Sequence, residues 1–199
     1  MIHPVNAKRP QERRRRVLLA TLFLVYLVLL TWVVMWKLEM PWVGGGVRNV
    51  KLVPFVTGSN GDGASQPIEV WANLLLFVPF GVYLRLLAPS WSPLSMTALA
   101  VGVSGAMEAA QFVLAVGRTD SSDVIANTAG AAVGIVLFAL VQHGIGPRAR
   151  RLMTRACLAG TAVALVACGL FVSGPIRYGP PDVRCDSQGS CRVGHDLDR

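Results

Sequence analysis

Apolar residues in this chain come in long unbroken runs rather than in the alternation of a half-buried strand or the stripe of a surface helix. Five runs stand out, at residues 17–36, 68–87, 94–116, 124–142 and 152–173. Each is close to the roughly 20 residues that an α-helix needs to cross a hydrocarbon core about 30 Å thick. A soluble domain would have to bury all five, whereas a bilayer accepts each as one helix. The pattern therefore predicts an all-α fold, a polytopic membrane helix bundle of about five transmembrane helices with no soluble domain. The fourth run is the shortest and is rich in Gly and Ala, which places it among other helices and away from lipid. Pro79 in the second run removes one backbone hydrogen bond and predicts a kink that neighbouring helices accommodate.

The polar segments divide the chain into a basic cytoplasmic N-terminus at 1–16, a bundle at 17–173 and a polar extracytoplasmic tail at 174–199. The first apolar run is longer than the core of a secretory signal, and no Ala-x-Ala cleavage box follows it before Lys37, so it reads as an uncleaved anchor. The longest connection, 37–67, carries the turn formers Gly44-Gly45-Gly46 and Ser59-Asn60-Gly61-Asp62-Gly63 around an apolar centre, Leu52-Val53-Pro54-Phe55-Val56. That centre either dips into the interface or covers the bundle, or it is a loop anchored by Phe55.

Composition agrees with a membrane protein, with 53% hydrophobic and only 15% charged residues and a mean hydropathy of +0.50. The net charge of +8 raises nucleic-acid binding, but Lys and Arg gather at the ends of the apolar runs, where anionic headgroups lie, so no nucleic-acid partner is expected. Lys8, Arg9, Arg13 to Arg16, Arg85, Arg148, Arg150, Arg151 and Arg155 fall on one side of the bundle. The positive-inside tendency makes that side cytoplasmic, giving N-in and C-out. Cys185 and Cys191 then lie outside, where Cys-Asp-Ser-Gln-Gly-Ser-Cys either closes a small disulfide loop or holds two free thiols. Cys157 and Cys168 lie inside the fifth run and read as small packing residues.

Polar groups inside apolar runs change the picture most, since an Asp at mid-span costs about 2.5–3.5 kcal/mol on insertion scales. Glu108 and Gln111 lie three apart, and Asp123 and Asn127 four apart, so each pair shares one helix face. Between them Gly117-Arg118-Thr119-Asp120-Ser121-Ser122 leaves room only for a tight hairpin between antiparallel helices. Glu108 sits roughly 12 Å below the end of its run. Asn73 enters from the same side, and the cluster Asn73, Glu108, Gln111, Arg118, Asp120, Asp123 and Asn127 predicts a polar pocket opening on the extracytoplasmic surface. Several members have plainer roles open to them. Asp120, Ser121 or Ser122 serves as the cap of the fourth helix, Asn73 bonds a neighbouring helix, and Arg118 pairs with carboxylates or is solvated. Small residues at Ala126, Gly130 and Gly134, at Gly102, Ala106 and Ala110, and at Gly160, Ala164 and Cys168 mark helix faces for close packing.

At these residues the sequence resembles the VanZ-like family of small bacterial membrane proteins. The resemblance rests on Asn73-x3-Phe77-x-Pro79-x-Gly81, Glu108-x2-Gln111, Gly117-Arg118-x-Asp120-x2-Asp123 and Asn127-Thr128-x-Gly130-x3-Gly134, with Leu52-x-Pro54-Phe55 before them, and covers about 51–142. It implies a multi-pass protein of the bacterial cytoplasmic membrane. It also implies an association with resistance to the lipoglycopeptide teicoplanin, which the family's namesake carries.

Three function classes follow. The favoured one is a non-enzymatic envelope protein that binds an amphiphile or lipid headgroup at the outer leaflet and alters the access of lipoglycopeptides to their target. The second is an enzyme acting on a lipid-linked substrate, with Glu108 or Asp123 as general acid or base and Arg118 holding an anionic group. The third is a small transporter or partner subunit with Glu108 as proton relay. His3, His143 and His195 all lie away from the cluster, which argues against a His-based metal site. No cofactor is expected, and the sequence names no protein partner.

Overall fold

The structure, a computed structural model, describes residues 8–36, 50–51, 67–116, 119–173, 183–185 and 191–193. Its frame is five helices, α1 (Lys8–Trp36), α2 (Pro67–Leu87), α3 (Pro93–Leu114), α4 (Ser121–Ile145) and α5 (Arg148–Ser173). All five are long and apolar enough to span a membrane. Two short pairings accompany them. β1 (Val50–Lys51) lies parallel to β2 (Thr119–Asp120), and β3 (Val183–Cys185) lies antiparallel to β4 (Cys191–Val193). The chain is thus a multi-pass membrane protein, and many of its large apolar side chains, such as Leu24, Val28, Leu140, Val163 and Leu170, are exposed on the outside of the bundle, where acyl chains lie.

Helix ends follow local chemistry. Ser92 caps α3 by accepting the Ser95 amide at 3.1 Å, and Pro93 occupies the first turn, where its missing N–H is no loss. At the other end Ala115 takes a left-handed conformation, φ 49° and ψ 47°, and the Val116 amide reaches back to the Gln111 carbonyl at 3.2 Å. Asp120 starts α4 by accepting the Ser122 amide at 2.9 Å. That cap lets α4 begin at Ser121 and run 25 residues, so the run read as the shortest forms a longer helix than α2, at 21. Likewise α1 continues outward through its arginines to Lys8, because Arg is a good helix former once the helix leaves the apolar layer.

The frame turns on α2 and α4, which share the most extensive helix contact. Short reversals before and after α3 leave α2 and α4 parallel to each other. A Cβ added at Gly130 would fall on the Leu74 carbonyl, one at Gly134 on the Val78 carbonyl, and one at Gly81 on the Ala131 carbonyl. The backbones touch, as small residues permit in membranes. The expected stripe on α4 therefore packs as read. The stripes on α3 and α5 do not, because Gly102 and Gly160 have open space where a Cβ would stand, and Ala106 is exposed. Small residues allow close approach without requiring it, and α3 and α5 turn other faces to the bundle.

Aromatic packing fills the space between α1 and α2. Phe23, Tyr26, Phe77, Phe80 and Tyr83 form a chain of rings with centroids 5.2–6.2 Å apart. Tyr26 donates its hydroxyl hydrogen to the Leu76 carbonyl at 2.6 Å, beside the turn of α2 that Pro79 deprives of a donor. Tyr83 shares a hydrogen bond of 2.9 Å with Thr161, which ties α5 to the bundle.

Most of the described arginines gather at one end of the bundle axis, with Glu12 among them. Arg13 to Arg16, Arg85, Arg148, Arg150, Arg151 and Arg155 occupy one end, where Arg150 donates to the Leu86 carbonyl at 2.9 Å and Arg85 lies over the Phe138 ring at 5.9 Å. Glu69, Glu108, Asp120 and Asp123 occupy the opposite end.

Gly130→Ala is expected to force α2 and α4 apart and destabilise the protein by roughly 1–3 kcal/mol, whereas Gly102→Ala leaves stability unchanged or slightly higher. Thermal unfolding in detergent, followed by fluorescence-detected size exclusion, checks this. Equal sensitivity at the two positions would contradict the packing.

Candidate functional site

A recess of about 240 Å³ opens at the acidic end, lined by Val33, Val34, Ile68, Glu69, Ala72, Asn73, Leu76 and Asp123. Three helices contribute. The last turns of α1 and the first turns of α2 give apolar walls, and Glu69, Asn73 and Asp123 give polar ones. The glycine contact sets this geometry. With Leu74 against Gly130, the first turns of α2 and α4 lie side by side, and Asp123 faces the turn carrying Glu69 and Asn73.

Behind the recess stands a layer of buried polar groups that holds α3 and α4 in register. Glu108, 5% exposed, accepts the Asp120 backbone amide at 2.9 Å. The carboxylate of α3 therefore grips the residue that caps α4. Through β1 the same residue, Asp120, is the register partner of Lys51, which brings β1 to this corner. Gln111 donates to the Val34 carbonyl at 2.9 Å, linking α3 to a wall of the recess on α1. Asn127 donates to Ser104 Oγ at 2.8 Å, one turn deeper. Each bond replaces a water that the apolar layer does not supply, and hydrogen bonds of this kind between helices are worth up to about 1–2 kcal/mol.

The sequence-predicted residues divide into three groups. Asn73 and Asp123 line the recess; Glu108, Gln111, Asp120 and Asn127 form the supporting layer; Arg118 lies outside the described residues, as does Leu52-Val53-Pro54-Phe55-Val56. The polar faces of α3 and α4 meet, with a change of partners. Gln111 bonds α1 rather than α4, and the partner of Asn127 is Ser104. Two residues were missed. Glu69 stands four before Asn73, hence on the same helix face, and Ser104 stands four before Glu108. Those spacings were the available signals. Among the described residues no three His, Cys, Asp or Glu side chains are grouped so as to hold a metal ion.

The layer also contains acceptors without donors. Gln111 Oε1 and Asn127 Oδ1 are buried and have no hydrogen-bond partner among the described residues. Ser104→Ala would strand the Asn127 amide nitrogen as well, at a cost of about 1–3 kcal/mol. Combining it with Asn127→Leu removes the polar groups together and is expected to recover most of the loss, as read by thermal unfolding in detergent. A double variant no more stable than Ser104→Ala would contradict this pairing.

The family described as VanZ/LLP1 matches residues 23–142. Protein VanZ of Enterococcus faecium is 32% identical over 128 residues, which cover 63% of this chain and 76% of that protein. No solved structure matches the chain. The glycine contact, the α3–α4 hairpin, the recess and the polar layer behind it all fall within the matched span, and the chain belongs to the VanZ/LLP1 family.

Proposed function

We propose that this protein lowers susceptibility to lipoglycopeptide antibiotics such as teicoplanin by holding an amphiphile, through its polar headgroup, in the recess between α1, α2 and α4. The observation that carries the reading is the make-up of that recess. Apolar Val33, Val34, Ile68, Ala72 and Leu76 stand beside polar Glu69, Asn73 and Asp123 in one cavity of about 240 Å³. Such a lining suits a molecule with an oily part and a hydrogen-bonding part. Its size narrows the choice, because pockets for drug-sized ligands run from about 300 to 1,000 Å³. The recess accepts a headgroup and the start of a chain, and a whole lipoglycopeptide is too large for it. The proposed action is therefore on a lipid or lipid-linked molecule near which the antibiotic works.

Two further supports are the family and the placement of charge. With the arginine end in the cytoplasm, as the positive-inside tendency favours, the recess opens toward the outer leaflet. The carboxyl and amide groups that line the recess among the described residues, beside apolar ones, suit the holding of a polar headgroup.

The test compares teicoplanin susceptibility of a deletion strain complemented with the wild-type chain, with Glu69→Gln/Asp123→Asn, or with Asn73→Ala, with protein levels followed by immunoblot. The wild type is expected to restore protection. The recess variants are expected to accumulate normally and to leave the strain as sensitive as the deletion. Full protection by well-accumulated recess variants, or a deletion with unchanged susceptibility, would overturn the proposal.

A further inference from the structure

The polar tail after α5 carries a feature that spacing alone left open. β3 and β4 pair antiparallel with Val183 opposite Val193, Arg184 opposite Arg192 and Cys185 opposite Cys191. The cysteines are thus register partners at the closed end of a ribbon whose five-residue connection is Asp186-Ser187-Gln188-Gly189-Ser190. Directly opposed residues of an antiparallel pair share one face of the ribbon, with Cα atoms about 4.5 Å or about 5.5 Å apart according to the ladder position. Both separations fall within the span of about 4.4–6.8 Å that a disulfide bridges. A shift of one residue would have put the two cysteines on opposite faces. The remaining cysteines of the chain are placed differently, since Cys157 and Cys168 lie on α5 as free thiols, within an apolar helix.

We infer that Cys185 and Cys191 form a disulfide that closes the tail ribbon, and that the tail therefore stands in the oxidising space outside the cytoplasmic membrane. The reaction joins the two sulfur atoms and releases two protons and two electrons. An extracytoplasmic dithiol–disulfide oxidoreductase accepts the electrons, its own disulfide being reduced to two thiols. Such bonds persist outside the cytoplasm and are rare within it. The consequence reaches the whole bundle. Five spans place the tail on the side where α1 ends and where α2 and α4 begin, so a tail held outside fixes the recess outside and the arginine end within. This conclusion is independent of what the recess binds.

The full-length chain with Cys157→Ala and Cys168→Ala, expressed in intact cells, supplies the test. A membrane-impermeant maleimide coupled to polyethylene glycol is applied with or without an impermeant phosphine reductant. No gel shift is expected without reductant, and a double shift with it. The Cys185→Ser derivative is expected to label once without reductant, because Cys191 then lacks its partner. Trypsin cuts after Arg184 and Arg192, and the released peptide 185–192 from unreduced protein is expected to be lighter by two hydrogens than its reduced form. Labelling of the Cys185/Cys191 protein in intact cells without reductant would overturn the bond. Labelling that requires lysis would overturn the placement, and a fully reduced peptide from protein alkylated before lysis would overturn the bond.

Discussion

The close approach of α2 and α4 is the constraint on which the remainder of the bundle rests. Gly81, Gly130 and Gly134 leave no room for even a Cβ, and the facing carbonyls of Leu74, Val78 and Ala131 occupy that space. In a bilayer the hydrophobic effect does little to press one helix on another, so close packing of backbones carries more of the association than it does in water. Three contacts spaced along parallel helices also fix their relative height. A slip of one residue would set those carbonyls against residues that carry a Cβ. Because height is fixed, the polar first turns of the two helices come level, and the recess follows from that alignment.

The buried polar layer makes use of the same alignment. A carboxylate in an apolar layer needs a donor, and Glu108 finds one in the backbone amide of Asp120. Asp120 in turn caps α4, so one acidic residue secures the start of the helix and another holds that start against α3. Gln111 and Asn127 extend the layer to α1 and deeper into α3. The arrangement gives Glu108 a structural duty that reading it as a bare functional carboxyl would overlook. Among the described residues Glu69, Asn73 and Asp123 are the polar side chains that line the cavity.

Much of this was legible before the structure. Twenty-residue apolar runs admit little besides transmembrane helices, and the spacing of Glu108, Gln111, Asp123 and Asn127 with a short hairpin between them left the faces of α3 and α4 no choice but to meet. Other features were hidden for identifiable reasons. Glu69 sits where an apolar run begins, a place where a charge needs no special explanation. Ser104 is small and unremarkable by hydropathy, yet it is the partner of Asn127. The outward turn of the α3 and α5 stripes could not be read from spacing, because Gly and Ala in a row record permission to pack and name no neighbour. The length of α4 was underread since polar residues at its start continue the helix once Asp120 caps it. For the tail, spacing left a small disulfide loop and two free thiols both open, and the ribbon register sets Cys185 opposite Cys191.

The claim that the first turns of α2 and α4 face each other across one cavity can be measured directly. In a chain freed of its native cysteines, Asn73→Cys combined with Asp123→Cys should be joined in the membrane by a short bifunctional thiol reagent. Asn73→Cys combined with Phe138→Cys, far along α4, should not. Efficient joining of the first pair alone is the result the alignment requires. Failure of the 73/123 pair in protein that is folded and labelled at both sites, or equal joining of the two pairs, would contradict it.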